Sequence, residues 1–525
     1  MTDSIKQVLI PSAGVGSRLG SLTEHVNKAL IQIDGKAVIS HIIELYPEYY
    51  EFIICLGHKG DFLRQYLEIS HPKINFNFVE IDNYEGKGSG LGYTLSKTKK
   101  FINKPFFFHT NDAMFKRKFP IFEEDTIILS SSSSDSRNYR TASINDSTGN
   151  LQILHDKTQE KLLNVYTYTG VAYIKNYKKF TEFLDEMSID IGESDYFIKK
   201  IGGETKYFMS NDWIDIGSID GINNAKDQFG GFKNLNKTTE EIYFINNEVI
   251  KFDINSKVIS QKVVRNKLLK DITPKVVESK NNFFKYKYVQ GEIFSDLLSP
   301  NEKFEDLLYW CKSNLWNIEN LNKNELKEFK SNTKAFYFDK TFERINLYNE
   351  EYGYFDRDTK INGVSFPKLE ELLSFVNWDD IFDAKPCNYH GDLHFENILK
   401  TKEGYCLLDW RASYGQSLSI GDIYYDLGKL LHGLWINHKI IRDEHYEIRI
   451  KGSKISFDIY QKKSLIECQD ILQRFAKDNG YSWEKIETIA ALILLNIAPL
   501  HHDPYSKLLY FFGKEQLKRI VKYYE

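Results

Sequence analysis

The feature that most restricts the fold of this chain is an alternation, across residues 1–230, of short apolar runs with helix-period segments. That alternation is the signature of a parallel α/β sheet with helices on its faces. Residues 8–10 read as a first strand that runs directly into a glycine-rich turn, and residues 52–56, 76–81 and 106–108 as three more. Residues 39–45 read as a helix, and residues 126–130 and 171–174 continue the sheet. The serine run 130–134 follows an apolar strand at once and is only five residues long. It therefore reads as a strand end or active-site loop, not as a linker.

At 525 residues the chain is too long for one core, and about 150 residues per domain gives two to four domains. A polar segment rich in Gly and Asn at 228–237 marks the boundary, giving a first domain at 1–230, a linker at 231–240 and a second domain at 241–525. In the second domain, residues 241–252 read as a hairpin turning at Asn246-Asn247, and residues 283–289 as a strand. From 302 onward the pattern is mostly helical, interrupted by a strongly punctuated stretch at 388–421. A small β-rich lobe (about 241–295) thus precedes a large helical lobe (about 296–525).

Apolar residues make up 42% and charged residues 27%, which predicts packed cores and excludes disorder. A formal net charge of −4 argues against nucleic acid or an anionic membrane surface as partner. The most apolar run, residues 489–500, falls short of the ~20 residues a membrane span needs and reads as a buried helix. Five scattered cysteines without a CxxC pair, and a start without a leader pattern, predict a reduced cytoplasmic protein with no disulfide framework and no structural zinc.

After the first strand comes Pro11-Ser12-Ala13-Gly14-Val15-Gly16-Ser17-Arg18-Leu19. Glycines at such a strand end let backbone N–H groups approach phosphate oxygens, and Arg18 adds a bidentate donor. Dinucleotide binding wants GxGxxG and an acidic residue ~20 positions on. Here Gly14-x-Gly16-x-Arg18 continues to Asn27-Lys28, and the combination resembles the sugar-nucleotidyltransferase family. The resemblance extends to the loop from Glu85 through Gly88 to Gly92, to Asp112 at a strand end, to Asp156-Lys157, to Tyr168-Thr169-Gly170 and to Trp213-Ile214-Asp215.

That resemblance implies Mg²⁺ held by Asp112 and Asp215. It implies Arg18 and Lys28 as catalytic cations on the triphosphate, and Ala13, Gly14, Gly16 and Gly88 around the nucleotide. Lys157 would take the sugar-side phosphate, and Gly170 would lie on the substrate strand. Two departures stand out: Asn27 replaces the usual proline and is expected to loosen its loop, and Asp156 replaces the usual glutamate.

The sharpest motif is His390-Gly391-Asp392-Leu393-His394-Phe395-Glu396-Asn397, followed by Asp409-Trp410. A kinase catalytic loop places its base aspartate five residues before a metal-binding asparagine, with a second metal aspartate on a nearby strand. The motif resembles the aminoglycoside phosphotransferase and choline kinase superfamily. This implies Asp392 as catalytic base, Asn397 and Asp409 on Mg²⁺, and His390 in a structural role, with no zinc at His390 or His394. Asp422 and Asp426, one turn apart, are expected to support the loop. Lys251, embedded in a strand, is the expected phosphate-gripping lysine, with Lys257 and Lys262 as competitors.

The expected fold is thus a Rossmann-like mixed-sheet nucleotidyltransferase domain followed by a bilobal kinase-like α+β domain. The expected function is bifunctional. ATP phosphorylates a small alcohol or sugar, and the resulting phosphate reacts with an NTP (CTP, UTP, GTP or dTTP) to give an NDP-activated precursor for capsule or lipopolysaccharide. A choline or ethanolamine kinase fused to a phosphocholine-type cytidylyltransferase is the alternative. In a reading of another class, one domain is an inactive sensor or assembly module.

Overall fold

The computed structural model describes residues 5–131, 136–145, 150–159, 162, 164–186, 191–198, 205–230, 239–354 and 356–521. Most of the expected linker and the end of the serine run lie outside these residues. By contacts the chain divides into two compact units, residues 1–256 with 278–285, and residues 257–277 with 286–525.

The first unit is built on a mixed nine-stranded sheet. Strand β1 (Gln7–Ser12) lies at its centre, parallel to β2 (Glu51–Leu56) on one side and to β4 (Phe106–His109) on the other. Strand β3 (Asn75–Glu80) pairs parallel with β2. Val8, Leu9 and Ile10 are wholly buried, as a strand covered on both faces by helices requires. Helices α1 (Val38–Ile43), α2 (Gly60–Ser70) and α3 (Leu91–Thr98) alternate with these strands.

The other half of the sheet runs antiparallel. Its long strand β9 (Val165–Ile174) pairs with β4, with β6 (Thr126–Ser130) and with β7 (Thr141–Ile144), and β7 pairs with β8 (Leu151–His155). Strand β10 (Lys206–Met209) pairs parallel with β6. A separate two-stranded ribbon joins β5 (Ala113–Phe115) to β11 (Trp213–Asp215).

The hairpin β12 (Glu240–Ile245) and β13 (Glu248–Asp253) turns at Asn246 and Asn247, both with positive φ. The sequence reading gave it to the second domain; by contacts it belongs to the first unit. The reason is apolar: Tyr243, Ile245, Ile250 and Phe252 join the core cluster of Val8, Ile10 and Ile54. The division at residues 231–240 therefore differs from the one that packing draws.

The second unit is mainly helical, and within the stretch expected to be mostly helical from 302 onward it also holds strands that the sequence reading did not name. Strands β14 (Thr359–Ile361), β15 (Val364–Phe366), β18 (Tyr446–Lys451) and β19 (Lys454–Ile459) form a four-stranded sheet, with β16 (Ile398–Thr401) and β17 (Gly404–Leu407) pairing elsewhere. The first hairpin turns at Asn362-Gly363, both at positive φ, which is the short-turn chemistry that favours strands. The second alternates exposed and inward residues with period two. The helix 423–435 is buried on every side. Among the described residues no helix is long and apolar enough to cross a membrane.

Candidate active sites

In the first unit the candidate residues gather at the C-terminal end of the parallel strands, where an open α/β sheet leaves its crevice. Beyond β1 the chain turns through Gly16, at φ +69°, where a Cβ would press on Thr23 and Lys28. Gly14 has nothing within 4 Å of a Cβ position, so no packing demands glycine there. Ala13 is buried, and its carbonyl accepts from His58 N at 2.8 Å.

Asn27 corrects the expectation of a loose loop. Wholly buried, it donates to Ser12 O at 2.8 Å and His58 O at 2.7 Å, and caps the short helix opened by Lys28 by accepting from Ala29 N. Its side chain does with hydrogen bonds what proline does with a fixed φ, and so it aims Lys28.

Lys28 Nζ meets Asp112 Oδ2 at 3.1 Å. Burial raises the Asp112 carboxyl pKa, but the Lys28 ammonium, the Thr110 hydroxyl and the Arg18 guanidinium outweigh it and hold the group below its ordinary value. The β5–β11 ribbon opposes Asp215 to Ala113, while Ile216 N donates to Asp112 O at 2.9 Å. The two carboxylates therefore leave adjacent chain segments. Asp215 accepts from Gly217 N at 2.8 Å and from Tyr139 OH at 2.5 Å. A Cβ at Gly217 would lie 3.0 Å from Asp215 Oδ1 and 3.1 Å from Arg18 Nη2, which places the guanidinium at this same corner. A cavity of about 220 Å³ opens among Gly16, Arg18, Lys28 and Gly217.

Gly170, at φ +79°, sits where β9 slips register; a Cβ there would lie 2.6 Å from Thr110 Oγ1. It thus guards the strand end that delivers Asp112. Gly88, at φ +85°, lies in the turn before α3. Lys157 is the one that does not gather: its side chain is exposed and it makes no bond with a described residue, while Asp156 pairs with Arg140 at 2.8 Å.

Next to Gly170, Tyr168 OH donates at 3.0 Å to Glu193, buried in α4 (Glu193–Ile198). Burial pushes the Glu193 carboxyl up to about 7, against the Tyr168 bond and Arg140. Because the folded value exceeds the unfolded one, its contribution to stability is complete below the unfolded value and is lost as pH rises through about 7. Glu193→Gln is therefore expected to gain on wild type as pH rises, by about 3 kcal/mol at most. Thermal melts at pH 5.5 and 8.5 check this; an equal offset at both refutes it.

In the second unit, the β16–β17 hairpin pairs Ile398 with Leu407, so Asn397 and Asp409 leave its open end together, and Leu408 N donates to Asn397 O at 2.7 Å. Asn397 Nδ2 donates to Asp392 O at 2.9 Å and to Asp392 Oδ2 at 3.3 Å and lies 3.1 Å from His394 Nε2, which leaves its Oδ1 as an acceptor. Asp392, Asn397 and Asp409 are thus one cluster.

Two buried groups hold the loop. Asp426 accepts from His390 N at 2.8 Å, Gly391 N at 2.7 Å and Trp316 Nε1 at 3.0 Å, the supporting role expected of it. Asp422 caps the helix α7 (Ile423–Trp435) and accepts from Lys385 N and Tyr337 OH. Gly391 is at φ +86°, where a Cβ would strike Arg411 and Tyr389.

Sequence reasoning missed two basic residues, Arg265 and Lys429, and ranked a third, Lys262, behind Lys251. Arg265, on helix α5 (Ser256–Leu268), is 1% exposed and donates to the carbonyls of Tyr389, His390, Arg411 and Leu418, tying both arms of the motif together. Lys429, from α7, meets Asp392 Oδ1 at 2.7 Å. Lys262, one turn before Arg265, meets Asp409 Oδ1 at 2.9 Å, whereas Lys251 lies on β13 of the first unit. The helical spacing of Lys262, Arg265 and Asn266 was the available signal.

His390 is buried and neutral, its pKa brought down to about 4 by burial. His394 lies with Glu396 and His438 in a group whose donor atoms fall within 4.8 Å. Burial works against a charge on His394, but Asp392 and Glu396 push its pKa up to about 9.

Residues 271–451 match the model of the phosphotransferase enzyme family. The bifunctional protein GlmU of Methanococcus maripaludis (strain C5) is 25% identical over 170 residues, 32% of this chain and 40% of that protein. Glucose-1-phosphate cytidylyltransferase of Salmonella typhimurium is 34% identical over 132 residues, 21% of this chain and 51% of that protein. A solved structure, the CTP:phosphocholine cytidylyltransferase of Streptococcus pneumoniae, aligns with 43% of this chain and 100% of that one at 18% identity and a TM-score of 0.35. The chain spans 40% of the first of these curated relatives and 51% of the second. The chain joins an N-terminal region similar in sequence to sugar-phosphate nucleotidyltransferases to a C-terminal region that matches the phosphotransferase enzyme family.

Proposed function

We propose that this is a bifunctional transferase. The C-terminal region phosphorylates a small alcohol or sugar with ATP, and the N-terminal region transfers a nucleotidyl group from an NTP (CTP, UTP, GTP or dTTP) to that phosphate. The product is an NDP-activated precursor for surface polysaccharide such as capsule or lipopolysaccharide, made in the cytoplasm. The observation that carries the reading is the clustering of Asp392, Asn397 and Asp409 at one hairpin end, in the order a phosphotransferase uses.

The donor sets fit Mg²⁺, a hard cation that takes oxygen ligands: Asn397 Oδ1 with Asp409 in one region, Asp112 with Asp215 in the other. Bound there, Mg²⁺ supplies charge neutralisation of the phosphates. In phosphoryl transfer Asp392 accepts the proton of the acceptor hydroxyl, oriented by Lys429 and Asn397. Lys262, paired with Asp409, is placed to steady the ATP phosphates.

In nucleotidyl transfer a phosphate oxygen of the acceptor attacks the α-phosphorus, and pyrophosphate leaves with the electrons of the α–β bond. Arg18 and Lys28 offset the negative charge that gathers there. No protein base is needed, because a phosphate monoester ionises with a second pKa near 6. The order of the two steps follows from chemistry, since the second consumes the group the first creates.

Mass spectrometry of products from a mixed pool of NTPs, sugars, polyols and amino alcohols tests the whole reading. The expected result is an ATP-dependent phosphate monoester and its NDP conjugate. A pool left unphosphorylated refutes the first step, and a monoester that accumulates with every NTP present refutes the second.

A further inference from the structure

Beside Asp392 the second unit gathers cations that its own carboxylates do not neutralise. A five-residue π-turn, Ala335–Asp339, precedes the helix α6 (Lys340–Tyr352). Such turns push side chains out of helical register and are frequent at functional sites. This one presents Phe336, and two cations rest on its ring: Lys340 Nζ lies 4.5 Å from the centroid and the Arg411 guanidinium 4.9 Å. Arg344 follows Lys340 by one turn, on the same face of α6.

None of the three has a carboxylate partner among the described residues. Arg344 Nε is buried without a hydrogen bond, and Lys340 has only the Phe336 ring. Arg411 donates to two neutral oxygens, Ser413 O at 3.1 Å and Tyr425 OH at 3.4 Å. The cluster borders the catalytic loop directly, because a Cβ at Gly391 would lie 2.6 Å from Arg411 Cβ. Lys429 is a fourth cation, already paired with Asp392. Burial, followed by the charges of Arg411, Arg344 and Lys429, brings the Lys340 pKa well below its usual value, with Asp392 opposing.

Cations held this close, half out of water and unpaired, destabilise the fold unless an anion sits among them. We propose that the phosphoryl acceptor is an alcohol carrying its own carboxylate or phosphate, gripped by Lys340, Arg344 and Arg411 while its hydroxyl faces Asp392. This deepens the phosphotransferase reading and rests on it. The acceptor oxygen bonds to the γ-phosphorus, the bond from that phosphorus to the β–γ bridging oxygen breaks, and ADP leaves with the electron pair. The hydroxyl proton passes to Asp392. The same cations repel a choline or ethanolamine headgroup, so the site selects by charge against the amino-alcohol alternative.

The test is ATP consumption by the full chain, with Mg²⁺, on four acceptors of similar size: glycerol, choline, glycerate and glycerol 3-phosphate. The expected result is a kcat/KM at least about 10-fold higher for an anionic acceptor, as one lost charge-assisted contact is worth roughly that factor. The last two probes decide between carboxylate and phosphate. Lys340→Met and Arg344→Gln are each expected to raise KM for the anionic acceptor by about 10- to 100-fold and to lower kcat much less. A neutral or cationic acceptor that works best, or variants that leave KM in place, overturn the inference while the kinase reading stands. ATP consumption with none of the four overturns both.

Discussion

Asp392→Asn is expected to lower ATP-dependent phosphorylation by about three orders of magnitude, the middle of the range for losing a general base. Asparagine keeps the shape of the side chain and can still accept from Asn397 Nδ2, now 3.3 Å from Asp392 Oδ2, but it cannot take the hydroxyl proton. It also leaves Lys429, 2.7 Å away and buried, facing an uncharged amide. The fall should therefore lie in kcat, with ATP affinity held within a few-fold, because Asn397, Asp409 and Lys262 are untouched. Titration of Mg·ATP by calorimetry beside single-turnover kinetics separates the two. Activity within about 10-fold of wild type would remove Asp392 from the role of base. Pyrophosphate release by the N-terminal region on supplied phosphate should be unchanged, which makes it an internal control for folding.

The parts of the fold that were legible in the sequence are those set by short-range patterns. Continuous apolar runs located β1, β2 and β4, because a strand buried on both faces has no polar side to show. The motif from His390 to Asp409 located the second cluster, because loop geometry at a phosphate site tolerates few residue types. What escaped notice came from long range. Lys429 is 37 residues from Asp392 and Arg265 is 125 from His390, and nothing local distinguishes either from a surface cation. The hairpin β12–β13 was seen and assigned to the second domain, while its apolar residues pack with the first core, since alternation shows that a strand has an apolar face and not which core receives it. The strands around Asn362-Gly363 were missed although the turn chemistry was present. Asn27 looked like a loss against proline because the sequence does not reveal that Ser12 O and His58 O stand within reach.

Asp112→Ala is expected to lower pyrophosphate release by about a thousandfold or more, the equivalent of roughly 4 kcal/mol of transition-state stabilisation. The argument starts from the pairing with Lys28 at 3.1 Å and from the lowered pKa of the carboxyl, which is ionised despite its burial. Such a carboxylate is either one half of a structural ion pair or a ligand for a cation that the chemistry needs. The two possibilities separate in a double-mutant cycle. If the pair is structural, Asp112→Ala and Lys28→Met each lower the melting temperature, and the double variant recovers part of the loss, because no charge is left alone. If both act on the reaction, each variant lowers kcat with little change in melting temperature. The double variant then loses less activity than the product of the two, as groups that work as one unit do. The second pattern is expected, with Lys28→Met costing about a hundredfold through loss of phosphate charge neutralisation. Asp215→Ala should repeat the Asp112 result, since the β5–β11 ribbon sets the two carboxylates side by side. Retention of a tenth or more of wild-type pyrophosphate release in Asp112→Ala would dismiss this corner as the seat of nucleotidyl transfer.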